Sequence, residues 1–314
     1  MSMWRALRAK TAAALGIILL ASTMGGGNAL QGASAVSLEP GPQDPEEVGR
    51  FLDEFFAQPE IKDNMAGAVV IVAKGDELLA KKGYGYADIE RKLPVDPDRT
   101  VFRIASISKV VTATAVMQLA EQGKIDLNAE LSAYLGGVRI PNKTDVPLTM
   151  RNLLMNSTGF EHGDTSELMT QDLQREIPLK TFVQEHVPTV IREPGRYYRY
   201  DNLGFTIQGY AVEQVSGEPF DTYVRDHIFK PLGMTSSDFR LTPQLTERLA
   251  VPYNVEGEPI AAYTTVPTVL PSGGMLSTGS DMARFMMAHL NGGKLGDARI
   301  MQEATAAEMH KPQL

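Results

Sequence analysis

The stretch that organises this chain reads Phe102-Arg-Ile-Ala-Ser-Ile-Ser-Lys109 and continues as Val110-Val-Thr-Ala-Thr-Ala-Val-Met-Gln-Leu-Ala-Glu-Gln122. Most positions from Ile107 to Leu119 are apolar or small, and no polar face is present. Such a run predicts a helix that is buried on nearly all sides. Gly123 follows, and glycine tolerates the left-handed backbone that ends many helices. We therefore expect a central buried helix that ends at Gly123.

Two polar residues, Ser106 and Lys109, lie at the start of this helix, one turn apart on the same face. The arrangement places a hydroxyl, an amine and outward-pointing backbone N–H groups together. An acyl-transfer enzyme needs these groups as its nucleophile, its base and its oxyanion donors. The pattern is weak alone, because about one Ser-x-x-Lys match is expected by chance in a chain of this length. A polar helix start, with Ser106 as a cap and Lys109 in solvent, explains it equally well.

A second polar group, Tyr200-Asp201-Asn202, stands between a Glu-Pro-Gly turn and a helix predicted from Leu203 to Val215. In an extended segment the side chains of Tyr200 and Asn202 leave on the same side. A nearby ammonium favours the phenolate form of a tyrosine, so Lys109 and Tyr200 can share one proton. The pair would act as base toward Ser106 and as acid toward the leaving group, while Asn202 would bind a substrate amide carbonyl and hold Lys109. The alternative is an ordinary loop tyrosine beside a turn asparagine.

Together the two motifs resemble the serine β-lactamase and penicillin-recognising DD-peptidase superfamily, in particular its class C β-lactamase and esterase-like branch. Ser106-Ile-Ser-Lys109 matches the family's Ser-x-x-Lys element, and Tyr200-Asp-Asn202 matches its Tyr-x-Asn element. The resemblance covers about residues 45–312. It includes three further segments in the family's order: Leu153-Leu-Met-Asn-Ser-Thr-Gly159, Phe229-Lys-Pro-Leu-Gly-Met234 and Gly273-Gly-Met-Leu-Ser-Thr278.

The resemblance implies an exported serine hydrolase that forms an acyl-enzyme and acts on a D-alanyl peptide, a β-lactam or a small ester. It implies catalytic roles for Ser106, Lys109 and Tyr200 and a substrate-binding role for Asn202. Asn156 stands where the family often has a histidine, which we expect to affect helix packing more than chemistry. A catalytically silent binding module of the same fold is the alternative function.

The family's third motif, Lys-Thr-Gly or His-x-Gly on a late strand, has no match in this sequence. Lys294-Leu-Gly296 has the wrong middle residue and is expected in a loop after a helix. We therefore expect residues 36–314 to be a serine hydrolase domain that lacks its C-terminal strands.

The remaining elements favour an α+β fold. Residues 66–73 and 77–83 predict two antiparallel strands joined by a three-residue turn, and residues 100–250 are mostly helical. The expected fold is β-lactamase/transpeptidase-like: an antiparallel sheet with flanking helices plus a helical subdomain, C-terminally incomplete.

The sequence predicts one helix before the two strands and another near the end of the chain. An amphipathic helix starts at Asp44-Pro45, and its apolar stripe is expected in the core: Val48, Phe51, Leu52, Phe55 and Phe56. Pro271-Ser-Gly-Gly274 predicts a hinge-like break in the chain. After it, Thr278 and Asp281 resemble a capping box that opens a helix through Leu290.

Residues 1–35 have the pattern of an export signal. Arg5, Arg8 and Lys10 precede an apolar run from Thr11 to Ala21, and Ala33-Ser-Ala35 offers a cleavage site. The run is too short to span a bilayer comfortably. We expect its removal, a periplasmic or extracellular location, and no stable membrane span in the mature protein.

Composition excludes several other classes of function. The chain has 38 Asp+Glu against 30 Lys+Arg, a net charge of −8, which does not suit a nucleic-acid partner. The resemblance implies a small molecule or peptide as the substrate. The absence of cysteine excludes disulfides, thiol catalysis and thiolate metal sites. The sequence contains neither His-Glu-x-x-His nor Gly-x-Ser-x-Gly, so we expect neither a metal, nor a cofactor, nor an α/β-hydrolase.

Overall fold

The structure, a computed structural model, describes residues 41–161, 169–170, 172, 177–261, 264–265 and 270–313. The helices of these ranges are α1 (Pro45–Ala57), α2 (Pro59–Lys62), α3 (Ser108–Glu121), α4 (Met150–Leu154), α5 (Leu179–Glu185), α6 (Asn202–Ser216), α7 (Phe220–Val224), α8 (Pro243–Thr246), α9 (Leu270–Gly273), α10 (Gly279–Leu290) and α11 (Glu303–His310). The strands are β1 (Gly67–Lys74), β2 (Glu77–Asp88), β3 (Leu93–Pro94), β4 (Phe102–Arg103), β5 (Met169–Thr170), β6 (Thr264–Thr265), β7 (Leu276–Ser277), β8 (Lys294–Leu295) and β9 (Ala298–Arg299).

The main sheet contains β1, β2 and β3 in that order, with antiparallel pairing. Val70 lies opposite Lys82, and Lys74 lies opposite Glu77, so the connection has two residues where the sequence predicted three. Gly75 has a φ of 59°, a left-handed conformation that glycine adopts without strain. The two predicted strands are confirmed, and β2 continues beyond Gly83 to Asp88. Within the described ranges, no fourth strand is hydrogen-bonded to this sheet.

Helix α1 packs on the β1–β2 hairpin with part of its predicted apolar stripe. The Asp44 carboxylate accepts a hydrogen bond from the backbone N–H of Glu46, which caps the helix as expected. Val48 and Leu52 are buried against the hairpin. The expectation that the whole stripe is core is wrong, because Phe51 and Phe55 are 63% and 39% exposed. Phe51 and Phe55 lie outside the apolar cluster that α1 forms with the hairpin.

Helix α3 forms the centre of a larger core, as its sequence predicts. It packs against α6, α9 and α7, and Val111, Ala115 and Leu119 are fully buried. Gly123 ends it with a φ of 71°. The helix starts one residue later than predicted, because Ala105–Ile107 form a separate 3₁₀ turn. The largest fully buried side chains around α3 and α6 include Phe160, Tyr210, Phe220, Phe229 and Phe239.

The segment predicted as a hinge-like break behaves differently. Leu270–Gly273 form the short helix α9, which packs against both α3 and α6. The backbone of Met275 then joins the start of α3, because Ile104 N–H donates to the Met275 carbonyl over 3.1 Å. This pairing continues as β4 with β7. The proline–glycine segment therefore serves as a packed link between the two helices.

Helix α10 starts and ends where the sequence predicts, but its cap is only half of a capping box. The Thr278 hydroxyl accepts from the N–H of Asp281. The Asp281 carboxylate instead accepts from Ser236 N–H and the Ser237 hydroxyl. It therefore ties α10 to the loop before α8. In the part of the chain that the structure describes, no helix has the length and apolar character needed to cross a membrane.

Candidate active site

Ser106 lies exposed in the 3₁₀ turn that leads into α3. The residue before it, Ala105, has a φ of 46°, a left-handed conformation that is uncommon for a residue other than glycine. The Ser108 hydroxyl donates to the Ala105 carbonyl over 2.5 Å and accepts from Met275 N–H over 3.0 Å. Ser108 is fully buried, so it supports the turn while Ser106 faces outward.

Lys109 lies one turn after Ser106, as predicted, but it is buried and is 6% exposed. Its Nζ is 3.2 Å from Ser106 Oγ, 2.6 Å from Asn202 Oδ1 and 2.6 Å from the Ser272 carbonyl oxygen. An ammonium has three donors, and these three neutral acceptors use all of them. The alternative of a solvated Lys109 is therefore wrong.

Tyr200 approaches Ser106 from the other side of the site. Its hydroxyl donates to Ser106 Oγ over 2.6 Å, and its ring centroid lies 4.7 Å from Lys109 Nζ. The phenol ring has solvent on part of its surface, since Tyr200 is 46% exposed. Ser106 Oγ thus lies between an ammonium and a phenol hydroxyl, as the sequence pattern predicts.

Asn202 is the first residue of α6, which the Asp201 carboxylate caps by accepting from Gly204 N–H. The Asn202 side chain directs its carbonyl oxygen at Lys109, so the predicted holding role is confirmed. Its predicted role toward a substrate stays a prediction.

Sequence reasoning missed the contribution of α9. The Ser272 carbonyl is a backbone acceptor, so no side-chain motif in the sequence predicts its contact with Lys109. The only signal was the Pro271-Ser-Gly-Gly274 segment, which the sequence predicted as a hinge. The Thr112 hydroxyl donates to the Pro271 carbonyl over 2.6 Å and fixes α9 against α3.

Lys294-Leu-Gly296, which has the wrong middle residue for the third motif, lies in a small hairpin. Lys294 is in β8, which pairs with β9 in a small hairpin after α10, where the sequence predicted a loop. The described residues contain no group of three or more His, Asp or Glu side chains that could hold a metal ion. The Lys109 amine and the Tyr200 phenol, both next to the Ser106 hydroxyl, suit acyl transfer through an activated hydroxyl.

The chain is similar to several known proteins. A family model described as Beta-lactamase matches residues 52–313. The putative penicillin-binding protein PbpX of Bacillus subtilis (strain 168) is 32% identical over 236 residues, which are 72% of this chain and 55% of that protein. The chain spans about half the length of the curated relatives it matches.

Two solved structures share the fold. EstCE1, described as a hydrolase with promiscuous acyltransferase activity, superposes with a TM-score of 0.71 at 23% identity, over 84% of this chain and 76% of that one. A β-lactamase/D-alanine carboxypeptidase from Yersinia pestis superposes with a TM-score of 0.64 at 22% identity, over 78% and 68% of the two chains. At these identities the likeness shows the fold, which confirms the predicted β-lactamase/transpeptidase-like class.

Proposed function

Since the chain belongs to the beta-lactamase family, we propose that it is a serine hydrolase that forms an acyl-enzyme on Ser106. The observation that carries the proposal is the position of Ser106 Oγ, 3.2 Å from Lys109 Nζ and 2.6 Å from the Tyr200 hydroxyl. The proposed substrates are a D-alanyl peptide, a β-lactam or a small ester. All three present a carbonyl carbon that a serine oxygen can attack.

The hydrogen bonds of Lys109 suggest how the proton moves. A lysine that donates to three acceptors has no lone pair left, so in this arrangement it cannot take a proton from Ser106. Tyr200 is the other group bonded to Ser106 Oγ, and an ammonium stabilises the negative charge that forms on a phenol oxygen when it gives up its proton. We assign Tyr200 as the base and Lys109 as the cation that stabilises it. This assignment refines the shared role that the sequence predicted.

The proposed reaction has two stages, acylation of Ser106 and hydrolysis of the acyl-enzyme. The Tyr200 phenolate takes the Ser106 hydroxyl proton while Oγ attacks the substrate carbonyl carbon and a tetrahedral intermediate forms. The intermediate collapses when the leaving group departs with the proton that Tyr200 returns. Tyr200 then takes a proton from water while the water oxygen attacks the acyl carbon. The bond from that carbon to Oγ breaks, Tyr200 returns the proton to Ser106 Oγ, and the acid product leaves. Asn202 is proposed to hold the substrate amide carbonyl.

We also propose that the protein is exported. The proposal rests on the basic start, apolar run and Ala-x-Ala site of residues 1–35, which lie outside the described residues. A periplasmic or extracellular hydrolase would meet D-alanyl peptides and β-lactams there.

Covalent labelling tests the proposed chemistry. The protein is treated with a fluorescent penicillin and, separately, with a fluorophosphonate, and the adduct is located by peptide mass mapping. We expect the adduct on Ser106 in the wild type and in Ser108→Ala, and none in Ser106→Ala. Ser108→Ala is the matched control, because this neighbouring hydroxyl is buried and bonded to the turn. An adduct on any other serine would contradict the assignment. A folded protein that neither probe labels would favour the silent binding module.

A further inference from the structure

The position of Tyr200 has to be fixed by something other than side-chain packing. Tyr200 is 46% exposed, and residues 195–200 are all exposed. The segment lies in irregular structure between Gly195 and the start of α6. Even so, the proposed function, on which this inference rests, needs the phenol oxygen to stay 2.6 Å from Ser106 Oγ. The backbone on either side of Tyr200 is therefore the place to look for the restraint.

Asn156 contacts the backbone on both sides of Tyr200. Its carbonyl oxygen accepts from Arg199 N–H over 2.7 Å, and its side-chain Oδ1 accepts from Asp201 N–H over 3.0 Å. We propose that Asn156 is a positioning residue for the reaction, which acts by accepting from the N–H groups of Arg199 and Asp201, the two residues next to Tyr200. These hydrogen bonds lead to the backbone beside Tyr200, so the effect of Asn156 passes through Tyr200.

The conformation of Asn156 explains why this residue type suits the position. Its φ is 51°, in the left-handed region that asparagine enters more readily than most residues. It follows α4 and is anchored there, because Asn156 N–H donates to the Leu153 carbonyl over 3.2 Å. A short side chain on such a turn can direct an acceptor at a neighbouring segment. The proposed positioning role differs from the expectation that Asn156 affects helix packing more than chemistry.

Neighbouring bonds extend the same restraint. The Arg199 guanidinium donates to the carbonyls of Phe160 and Glu161 over 3.2 and 3.0 Å. Gly195 N–H donates to the Ser157 carbonyl over 2.7 Å. The loop after α4 thus holds the Tyr200 segment at several points, but among these contacts only Asn156 accepts from the N–H groups of the residues on both sides of the tyrosine.

Two substitutions separate the side chain of Asn156 from its backbone. Asn156→Gly introduces a residue that adopts positive φ without strain and keeps the backbone carbonyl that accepts from Arg199 N–H, but it removes Oδ1. Asn156→Asp keeps an oxygen acceptor for Asp201 N–H. Lys92→Gly is the matched control, because Lys92 is another non-glycine residue with a left-handed φ, 50°, located between β2 and β3.

The first measurement is the rate at which a fluorescent penicillin or a fluorophosphonate labels Ser106. We expect Asn156→Gly to lower the rate by about tenfold or more, since small displacements of a catalytic group cost up to about a hundredfold. Asn156→Asp should restore most of the rate, and Lys92→Gly should match the wild type. In a Tyr200→Phe background, Asn156→Gly should add no more than about a twofold loss, because residues that act as one unit are not additive.

The second measurement is amide hydrogen exchange, which needs no activity. Asn156→Gly should speed exchange in the peptide that contains Asp201 and leave α3 unchanged. A wild-type rate with unchanged exchange in Asn156→Gly would overturn the proposal, and so would an undiminished rate loss in the Tyr200→Phe background. If the wild type is not labelled, the proposed function fails. Exchange at Asp201 then still decides whether Asn156 holds this segment.

Discussion

Lys109 shows how one buried cation can organise a site without a carboxylate among its three bonded acceptors. Burying an ammonium is costly unless its donors are satisfied. Here a hydroxyl, a side-chain amide oxygen and a backbone carbonyl satisfy them, and the carbonyl is supplied by α9. The ring of Phe205 adds a further contact, with its centroid 5.5 Å from Nζ. The cation therefore links α3, α6 and α9 next to the Ser106 hydroxyl.

At the residue scale we predict that Lys109 and Tyr200 act as one unit. Lys109→Ala and Tyr200→Phe should each lower the labelling rate of Ser106 by about a hundredfold or more, the usual contribution of general-base catalysis. The double variant should be little slower than either single variant, because a base and the cation that stabilises it fail together. The measurement is the labelling rate of all four proteins. Additive losses would show that only one of the two residues serves the proton transfer.

At the scale of elements, the site depends on how closely α9 approaches α6. A Cβ atom placed on Gly209 would lie 2.3 Å from Pro271 Cγ and 2.6 Å from Pro271 Cβ, distances that real Cβ atoms do not reach. Pro271 is followed by Ser272, whose carbonyl binds Lys109. The absence of a side chain at Gly209 thus lets α9 deliver that carbonyl.

We therefore predict that Gly209→Ala destabilises the protein by about 1–3 kcal/mol, the usual effect of an added methyl group in a packed interior. It should also slow the labelling of Ser106, because Ser272 has to move with Pro271. Gly204→Ala, in the same helix, is the control for stability. A Cβ there would meet its nearest neighbours at 3.5 Å, an ordinary contact. Urea unfolding of both variants is the measurement, and equal stability would contradict the close-packing argument.

At the scale of the whole molecule, buried titratable groups couple folding to pH. Burial, reinforced by the nearby His310, lowers the pKa of His289 to about 4. His289 lies on α10, where its Nε2 is 3.1 Å from the Thr114 hydroxyl and its Nδ1 is 3.3 Å from His310 Nε2. Burial also raises the pKa of the carboxyl groups of Glu213, Asp238 and Asp281. The two sets of groups have opposite effects on stability in acid.

The sign follows from proton binding. Between its ordinary pKa of about 6.5 and its folded pKa of about 4, His289 takes up a proton in the unfolded chain but stays neutral in the folded protein. The free energy of unfolding therefore decreases as the pH is lowered through this range. The buried carboxyls bind protons more readily in the folded protein, so they oppose this loss at lower pH. Between pH 7 and 5.5 the free energy of unfolding of the wild type should fall by about 1 kcal/mol more than that of His289→Gln.

Urea unfolding at the two pH values tests this prediction. His289→Gln should remove this part of the pH dependence, whereas His227→Gln should leave it, because His227 is 42% exposed. An unchanged pH dependence in His289→Gln would assign the effect to another group.

Local patterns explain which predictions succeeded. The mostly apolar run of α3, the N-cap at Asp44 and the β-rich runs of β1 and β2 depend on residues close in sequence, and the structure confirms each of them. The stripe of α1 failed at Phe51 and Phe55, because periodicity shows that a face is apolar but not what covers it. The hinge at Pro271 failed for a related reason, since packing against α3 and α6 overrode the local signal of proline and glycine.

The sequence by itself determined the family, the residues Ser106, Lys109, Tyr200 and Asn202, and the α+β class, because these depend on side-chain identity and short-range spacing. Only the tertiary structure decided that Lys109 is buried with three neutral acceptors, that α9 supplies one of them, and that Asn156 accepts from the N–H groups of Arg199 and Asp201. Backbone carbonyls and amides occur at almost every position, so no sequence pattern marks the few that a fold brings to a site. Their selection requires contacts between segments that are tens to more than a hundred residues apart in the chain, such as Lys109 with Ser272.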